Sequence, residues 1–220
     1  MSTIAIIGGH GKVALLLEQL LSASGHDVLA IVRNDEHVAE VAKTGATPVV
    51  ADVEQLDVPA MAEHLTGADA VVWSAGAGGG NPARTYAVDR DAAIRSMNAA
   101  TSAGVPRYVM VSYFGASVDH GVPEDNSFFA YAEAKAAADE YLRGTGLEWT
   151  IAAPSSLTDD EPTGRIEVNG LGGQELTSGK VSRGDVAAVI AALLQAPQSV
   201  GKMVQFNNGS TPIAEAVDQL

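Results

Sequence analysis

Two groups of residues could do chemistry. Tyr131 and Lys135 lie four positions apart in Tyr131-Ala-Glu-Ala-Lys135, so on a helix they project from one face about one turn apart. A free phenol titrates at about 10, and an ammonium beside it favours the phenolate. The spacing therefore predicts a tyrosine drawn down toward a pKa useful for proton transfer. The second group is Gly8-Gly9-His10-Gly11-Lys12-Val13-Ala14. There Gly8 can make a turn closed to other residues, Gly11 lets the backbone approach a pyrophosphate, and Ala14 is small enough for close packing. A helix starting behind this loop would offer amide donors and partial positive charge to phosphate. Other chemistries find no residues: the chain has no cysteine, hence no thiolate nucleophile, disulfide or cysteine-held metal. Its five histidines, His10, His26, His37, His64 and His120, show no zinc spacing, so no metal is expected.

The elements that must position these groups follow from periodicity. β-branched runs at Thr3–Ile7, Val28–Val32, Thr47–Val50, Ala70–Trp73, Tyr108–Val111, Trp149–Ala152 and Met203–Phe206 alternate with helical stretches, which predicts an α/β fold, a Rossmann-type doubly wound parallel sheet. In the first helix Val13, Leu16, Leu17, Leu20 and Leu21 form an apolar stripe that stops at Gly25. Further helices are expected over Glu36–Lys43, Val58–Leu65, Arg84–Ala103, Phe128–Arg143 and Arg183–Gln195. Phe114–Asn126 and Pro154–Ser182 lack periodicity and follow strands at their carboxyl ends, where open sheets bind ligands. The whole of 1–220 reads as one NAD(P)-binding domain, with 154–182 a small C-terminal substrate-covering region.

The end of the second strand discriminates between dinucleotides, because NAD asks for a carboxylate on its ribose and NADP for a cation on its phosphate. Here the strand ends in Arg33-Asn34, which points to NADP rather than NAD. Asp52-Val53 after the third strand could receive the adenine, and Ser74-Ala75-Gly76 after the fourth could floor the ribose.

With the loop and the Tyr131/Lys135 pair in hand, the chain resembles an atypical short-chain dehydrogenase/reductase of the NAD(P)H-binding, NmrA-like group. Further segments carry the resemblance over nearly the whole chain: Ala30-Ile-Val-Arg33, Gly104-Val-Pro-Arg-Tyr-Val-Met-Val-Ser112, Thr150-Ile-Ala-Ala-Pro154 and Ser182-Arg-Gly-Asp-Val-Ala187. The resemblance implies that Tyr131 is the general acid, that Lys135 holds the nicotinamide ribose and lowers the tyrosine pKa, and that Asp89 matches a polar residue on the fourth helix. Two departures stand out. The family tends to pair serines after the fifth strand and to use the second, whereas Ser112 is followed by Tyr113 and Phe114. It also often carries Arg-Pro-Gly after the sixth strand, where this chain has Ala153-Pro154-Ser155; the turn facing the nicotinamide could survive, the Arg contact cannot.

Composition bounds the partners. A net charge of -14 over 220 residues repels phosphate backbones and anionic lipid, so neither nucleic acid nor a membrane is expected. Apolar runs are too short to span a bilayer, and no basic leader precedes the first strand. The sequence therefore reads as a cytoplasmic monomer or homodimer acting on a small-molecule substrate, an NADPH-dependent oxidoreductase of a small carbonyl or similar acceptor. The intact Tyr131 and Lys135 favour an enzyme, and the missing second serine favours a redox-sensing NADP(H) binder. A sugar-nucleotide epimerase would want a larger C-terminal lobe than the stretch after Pro154 allows.

Overall fold

The computed structural model describes residues 1–78 and 80–220. Its centre is a nine-stranded sheet. The strands are β1 (Thr3–Ile7), β2 (Asp27–Val32), β3 (Thr47–Val50), β4 (Ala70–Trp73), β5 (Arg107–Val111), β6 (Glu148–Pro154), β8 (Arg165–Val168), β10 (Lys202–Asn208) and β11 (Thr211–Pro212). In spatial order they run β11-β8-β10-β6-β5-β4-β1-β2-β3. From β3 to β10 every pairing is parallel; β8 runs antiparallel to β10, and β11 antiparallel to β8. The central strands can be continuously apolar because both faces are covered: all of β4 and Ile4–Ile7 of β1 are buried.

On one face lie α1 (Lys12–Ala23), α7 (Arg183–Leu194) and α8 (Ile213–Asp218); on the other, α3 (Val58–Leu65), α5 (Ala93–Ser102) and α6 (Phe129–Arg143). A short α2 (Val38–Ala42) follows a 3-10 turn at Asp35–His37, in place of one helix over Glu36–Lys43. The stripe of α1 also differs from expectation. Val13, Ala14, Leu17, Glu18 and Leu21 are buried, whereas Leu16 and Leu20 are exposed. The helix presses onto the sheet along a line rotated toward Glu18, so a carboxyl is buried and two leucines face outward.

The helix expected over Arg84–Ala103 runs from Pro82 to Ser102 as three segments, α4 (Pro82–Thr85), a π-helical stretch at Tyr86–Ala92, and α5. The wider turn carries Asp89, and such insertions recur at functional sites. The aperiodic stretch 154–182 divides. Its ends pair as the small parallel sheet β7 (Ser156–Thr158) and β9 (Lys180–Ser182), while β8 within it extends the main sheet. Among the described residues, no helix is long and apolar enough to cross a membrane.

Candidate active site

The strand order reverses between β1 and β4, and the carboxyl ends of both strands open into two cavities that share Gly11, Ser74, Ala75 and Gly76. This is where an open parallel sheet binds ligands. The smaller, of about 260 Å³, is lined by Gly8, His10, Arg33, His37, Asp52, Val53, Glu54 and Arg84 among others. The larger, of about 670 Å³, runs past Lys12 and Val13 to Tyr131, Lys135, Pro154 and Ser155.

The glycine loop joins them. Gly8 has φ of 89°, and a Cβ there would lie 2.5 Å from Cα of Ala75, so only glycine fits. Gly9 serves packing: a Cβ would meet Ala30 at 2.7 Å and Oε1 of Glu18 at 3.0 Å. Gly11 caps α1 with extended backbone and no side-chain hydrogen bond, which leaves the first-turn amides of the helix without a side-chain acceptor. A Gly loop without side chains, an uncapped helix end and a small-residue floor at Ser74–Gly76 fit a dinucleotide, with its pyrophosphate against Gly11–Val13.

At the adenosine end, Arg33 Nη1 lies 3.3 Å from Glu54 Oε1, and Arg84 Nη2 lies 2.8 Å from the same oxygen. Two guanidinium groups thus share one carboxylate at the cavity wall. Asp52 accepts from the Glu54 amide and so shapes the turn that presents Glu54. His10 stacks on His37 with ring centroids 3.7 Å apart and pairs with Glu40. Asn34 turns away, donating to Glu36.

At the other end stand the catalytic candidates. Lys135 is fully buried, and its Nζ donates to the Val111 carbonyl at 2.7 Å. Asp139, one turn further along α6, accepts from Ser112 Oγ, and Asp89 accepts from the Ala77 amide at 3.0 Å. Burial pushes both carboxyls above their usual range while Lys135 pulls them back, and burial lowers the Lys135 ammonium against the pull of Asp139 and Asp89.

This arrangement overturns the expected direction for Tyr131. Burial raises its phenol above the ordinary value, and the negative charges of Asp89 and Asp139 raise it further. The ammonium that was expected to draw it down is engaged by a carbonyl and flanked by two carboxyls.

Ser112 lines the same cavity, but its proton is committed to Asp139. Tyr113, where a second serine would stand, packs its ring 5.6 Å from that of Tyr131 and edge-on to Phe128 at 5.3 Å. Ser155 donates to Asn207 Oδ1 at the cavity's far side.

The structure thus gathers Tyr131, Lys135, Ser112, Pro154 and Ser155 at one cavity and Arg33, Asp52 and Val53 at the other, and sets Gly9 and Asn34 outside both. Several residues that line the site or hold its lining residues escaped the sequence reading. Asp139 left a signal, since it continues the Tyr131/Lys135 face by one turn; Glu54, Arg84 and Asn207 arrive by tertiary contact and left none.

A family model described as NAD(P)H-binding matches residues 8–197. The chain belongs to the NAD(P)H-binding family. Members and neighbours cover it end to end. A Bacillus halodurans structure named an NAD-dependent epimerase/dehydratase is 34% identical over all of both chains, with a TM-score of 0.91. The oxidoreductase ylbE of Lactococcus lactis is 32% identical with a TM-score of 0.87, covering 99% of this chain and 96% of its own. The Bacillus subtilis protein YhfK, named a sugar epimerase, is 32% identical over 99% of each chain. The Rossmann-like sheet and the glycine loop are therefore those of an NAD(P)H-binding oxidoreductase/epimerase-like family.

Proposed function

We propose that the protein is an NADP(H)-dependent oxidoreductase that reduces a small carbonyl or similar acceptor. The observation that carries this reading is the shared wall, Gly11 and Ser74–Gly76, between a cavity edged by two arginines and a cavity holding Tyr131 with Lys135. Bound NADPH supplies a hydride to the acceptor carbon. The backbone amides of Lys12 and Val13 would hold the pyrophosphate, and Arg33 and Arg84, which share Glu54, would be the cations available to a ribose phosphate. Tyr131, kept protonated by burial and by Asp89 and Asp139, gives its proton to the acceptor oxygen. An alkoxide is a stronger base than a phenolate, so this transfer runs downhill even from a phenol with a raised pKa. Ser112 takes no part in that step because its hydroxyl serves Asp139.

The test is NADPH oxidation against a panel of aldehydes, ketones, quinones and flavins. Tyr131→Phe is expected to cut turnover by about 10²–10⁴ while NADPH affinity stays within a few-fold. The bond from Ser112 to Asp139 favours a second reading, a non-catalytic NADP(H)-responsive binder. Tight NADPH binding without turnover of any acceptor selects it and refutes the reductase.

A further inference from the structure

Lys12 and Arg183 are the first residues of α1 and α7, two twelve-residue helices on the same face of the sheet. A helix N-terminus carries partial positive charge, so a cation there is unfavourable. The sequence nonetheless puts a lysine and an arginine at these two positions, both in the wall of the larger cavity. They converge on one anion: Asp159, just beyond β7, takes Lys12 Nζ at 3.0 Å on one carboxylate oxygen and Arg183 Nη1 at 2.7 Å on the other. The hydrogen bond from Lys12 holds the Asp159 carboxyl below its usual range.

The charge of the cavity points the same way. In a chain of net -14, the charged residues lining it, among the described residues, are Lys12, Lys135 and Arg183 against Asp89. Asp159 itself is 66% exposed, whereas Arg183 is 23% exposed and held in the wall. Arg183 is thus the cation held in the wall, while Lys12, 68% exposed, and Asp159 meet it from the surface side.

We propose that Arg183, with Lys12 beside it, forms a subsite for an anionic group, a carboxylate or phosphate, on the acceptor molecule, and that Asp159 occupies this subsite until the acceptor displaces it. The substrate class is then an anionic carbonyl compound. This rests on the reductase reading for the word acceptor, but the subsite is testable without turnover. In the displacement one oxyanion replaces another on the same donors, so no proton moves.

The experiment uses the full chain with NADPH and two matched acceptors, 4-formylbenzoate and its methyl ester, together with benzene-1,4-dicarboxylate as a binding probe by calorimetry in the presence of NADP⁺. Arg183→Gln is expected to lower the ratio of kcat/KM for 4-formylbenzoate over the ester by about tenfold or more, and to weaken the dicarboxylate by a similar factor, the worth of one charge-assisted pair. Its effect on NADPH affinity is expected to be under about threefold. Asp159→Asn is expected to do the reverse, tightening the dicarboxylate several-fold, and both variants carry exposed or cavity-facing changes outside the core. An unchanged ratio, no binding of the dicarboxylate, or a loss of NADPH affinity as large as that of the acceptor overturns the subsite. Turnover of both aldehydes with no dependence on Arg183 sinks the subsite and leaves the reductase standing. Dicarboxylate binding that depends on Arg183, without turnover of either aldehyde, does the opposite.

Discussion

Glu18 lies directly under the glycine loop with no exposed surface, one oxygen accepting from Thr44 at 3.0 Å and the other without a partner. Burial raises its carboxyl from 4.5 to about 8, against the smaller opposing effect of the Thr44 hydroxyl. In the unfolded chain the same group ionises near 4.5. Between these values the folded state holds one proton more than the unfolded state, so stability falls as pH rises: the contribution is complete below about 4.5 and lost by about 8. At about 1.4 kcal/mol per pH unit the ceiling is roughly 5 kcal/mol; discounted for water penetration and relaxation, about 2 kcal/mol is expected. Glu18→Gln keeps the Thr44 bond and removes the titration. For a chain of this size about 2 kcal/mol is roughly 4–8 °C in Tm. Thermal melts followed by circular dichroism at pH 5 and pH 8 are expected to show the variant gaining that much on the parent between the two pH values, with the parent falling behind at pH 8. Equal pH dependence in the two proteins would refute the reasoning, because the difference between them isolates this one carboxyl.

The two glycines of the loop separate fold from function. Gly11→Val is expected to abolish NADPH binding by calorimetry with the fold retained and only a modest fall in the melt, since a Cβ there makes one tight contact, 3.3 Å from the Gly8 carbonyl oxygen, while the branched methyls fill the phosphate position. Gly8→Ala is expected to destabilise the fold itself, because its Cβ collides with Ala75 backbone at 2.5 Å and its φ of 89° is strained for alanine; a stable Gly8→Ala protein refutes this. Arg33→Ala is expected to weaken NADPH by about tenfold or more and to spare NADH; equal loss in the two titrations removes Arg33 from the phosphate site. The raised Tyr131 predicts a reduction rate with no alkaline fall up to the ordinary tyrosine value of about 10, because the acid form persists past it. A pH profile that falls with an apparent pKa near 7 restores the lowered phenol and refutes it.

The parallel sheet was legible in the sequence because its strands are buried on both faces and so read as apolar runs, and the glycine loop was legible because only glycine fits at Gly8. Strand β8 was hidden inside 154–182, since Arg165–Val168 is short and two of its four residues are not buried. The π-helical stretch at Tyr86–Ala92 was illegible because one wider turn leaves the apolar period of the flanking segments intact. Leu16 and Leu20 misled for a reason of chemistry. A stripe assigned by hydropathy cannot place a glutamate such as Glu18 on the buried side, and that substitution rotates the whole contact line. The partners of the site residues were least legible, as Arg84 reaches Glu54 over 30 positions and Arg183 reaches Asp159 over 24.

The reversal at Tyr131 shows what spacing alone leaves undetermined. Four residues on a helix fix that a phenol and an ammonium share a face, but the sign of their coupling depends on every other charge that the fold brings near. Here α6 adds Asp139 one turn on, and the π-helical stretch delivers Asp89 from another helix. A single ammonium between two carboxyls, with one hydrogen bond spent on the Val111 carbonyl, leaves the phenol facing net negative surroundings. Lys135 therefore acts first to make two buried carboxyls tolerable, since either one left uncompensated at that depth would cost several kcal/mol. A cationic nicotinamide ring bound in this cavity would add the positive charge the cluster lacks, and so would ease the phenol toward phenolate more than a neutral reduced ring would.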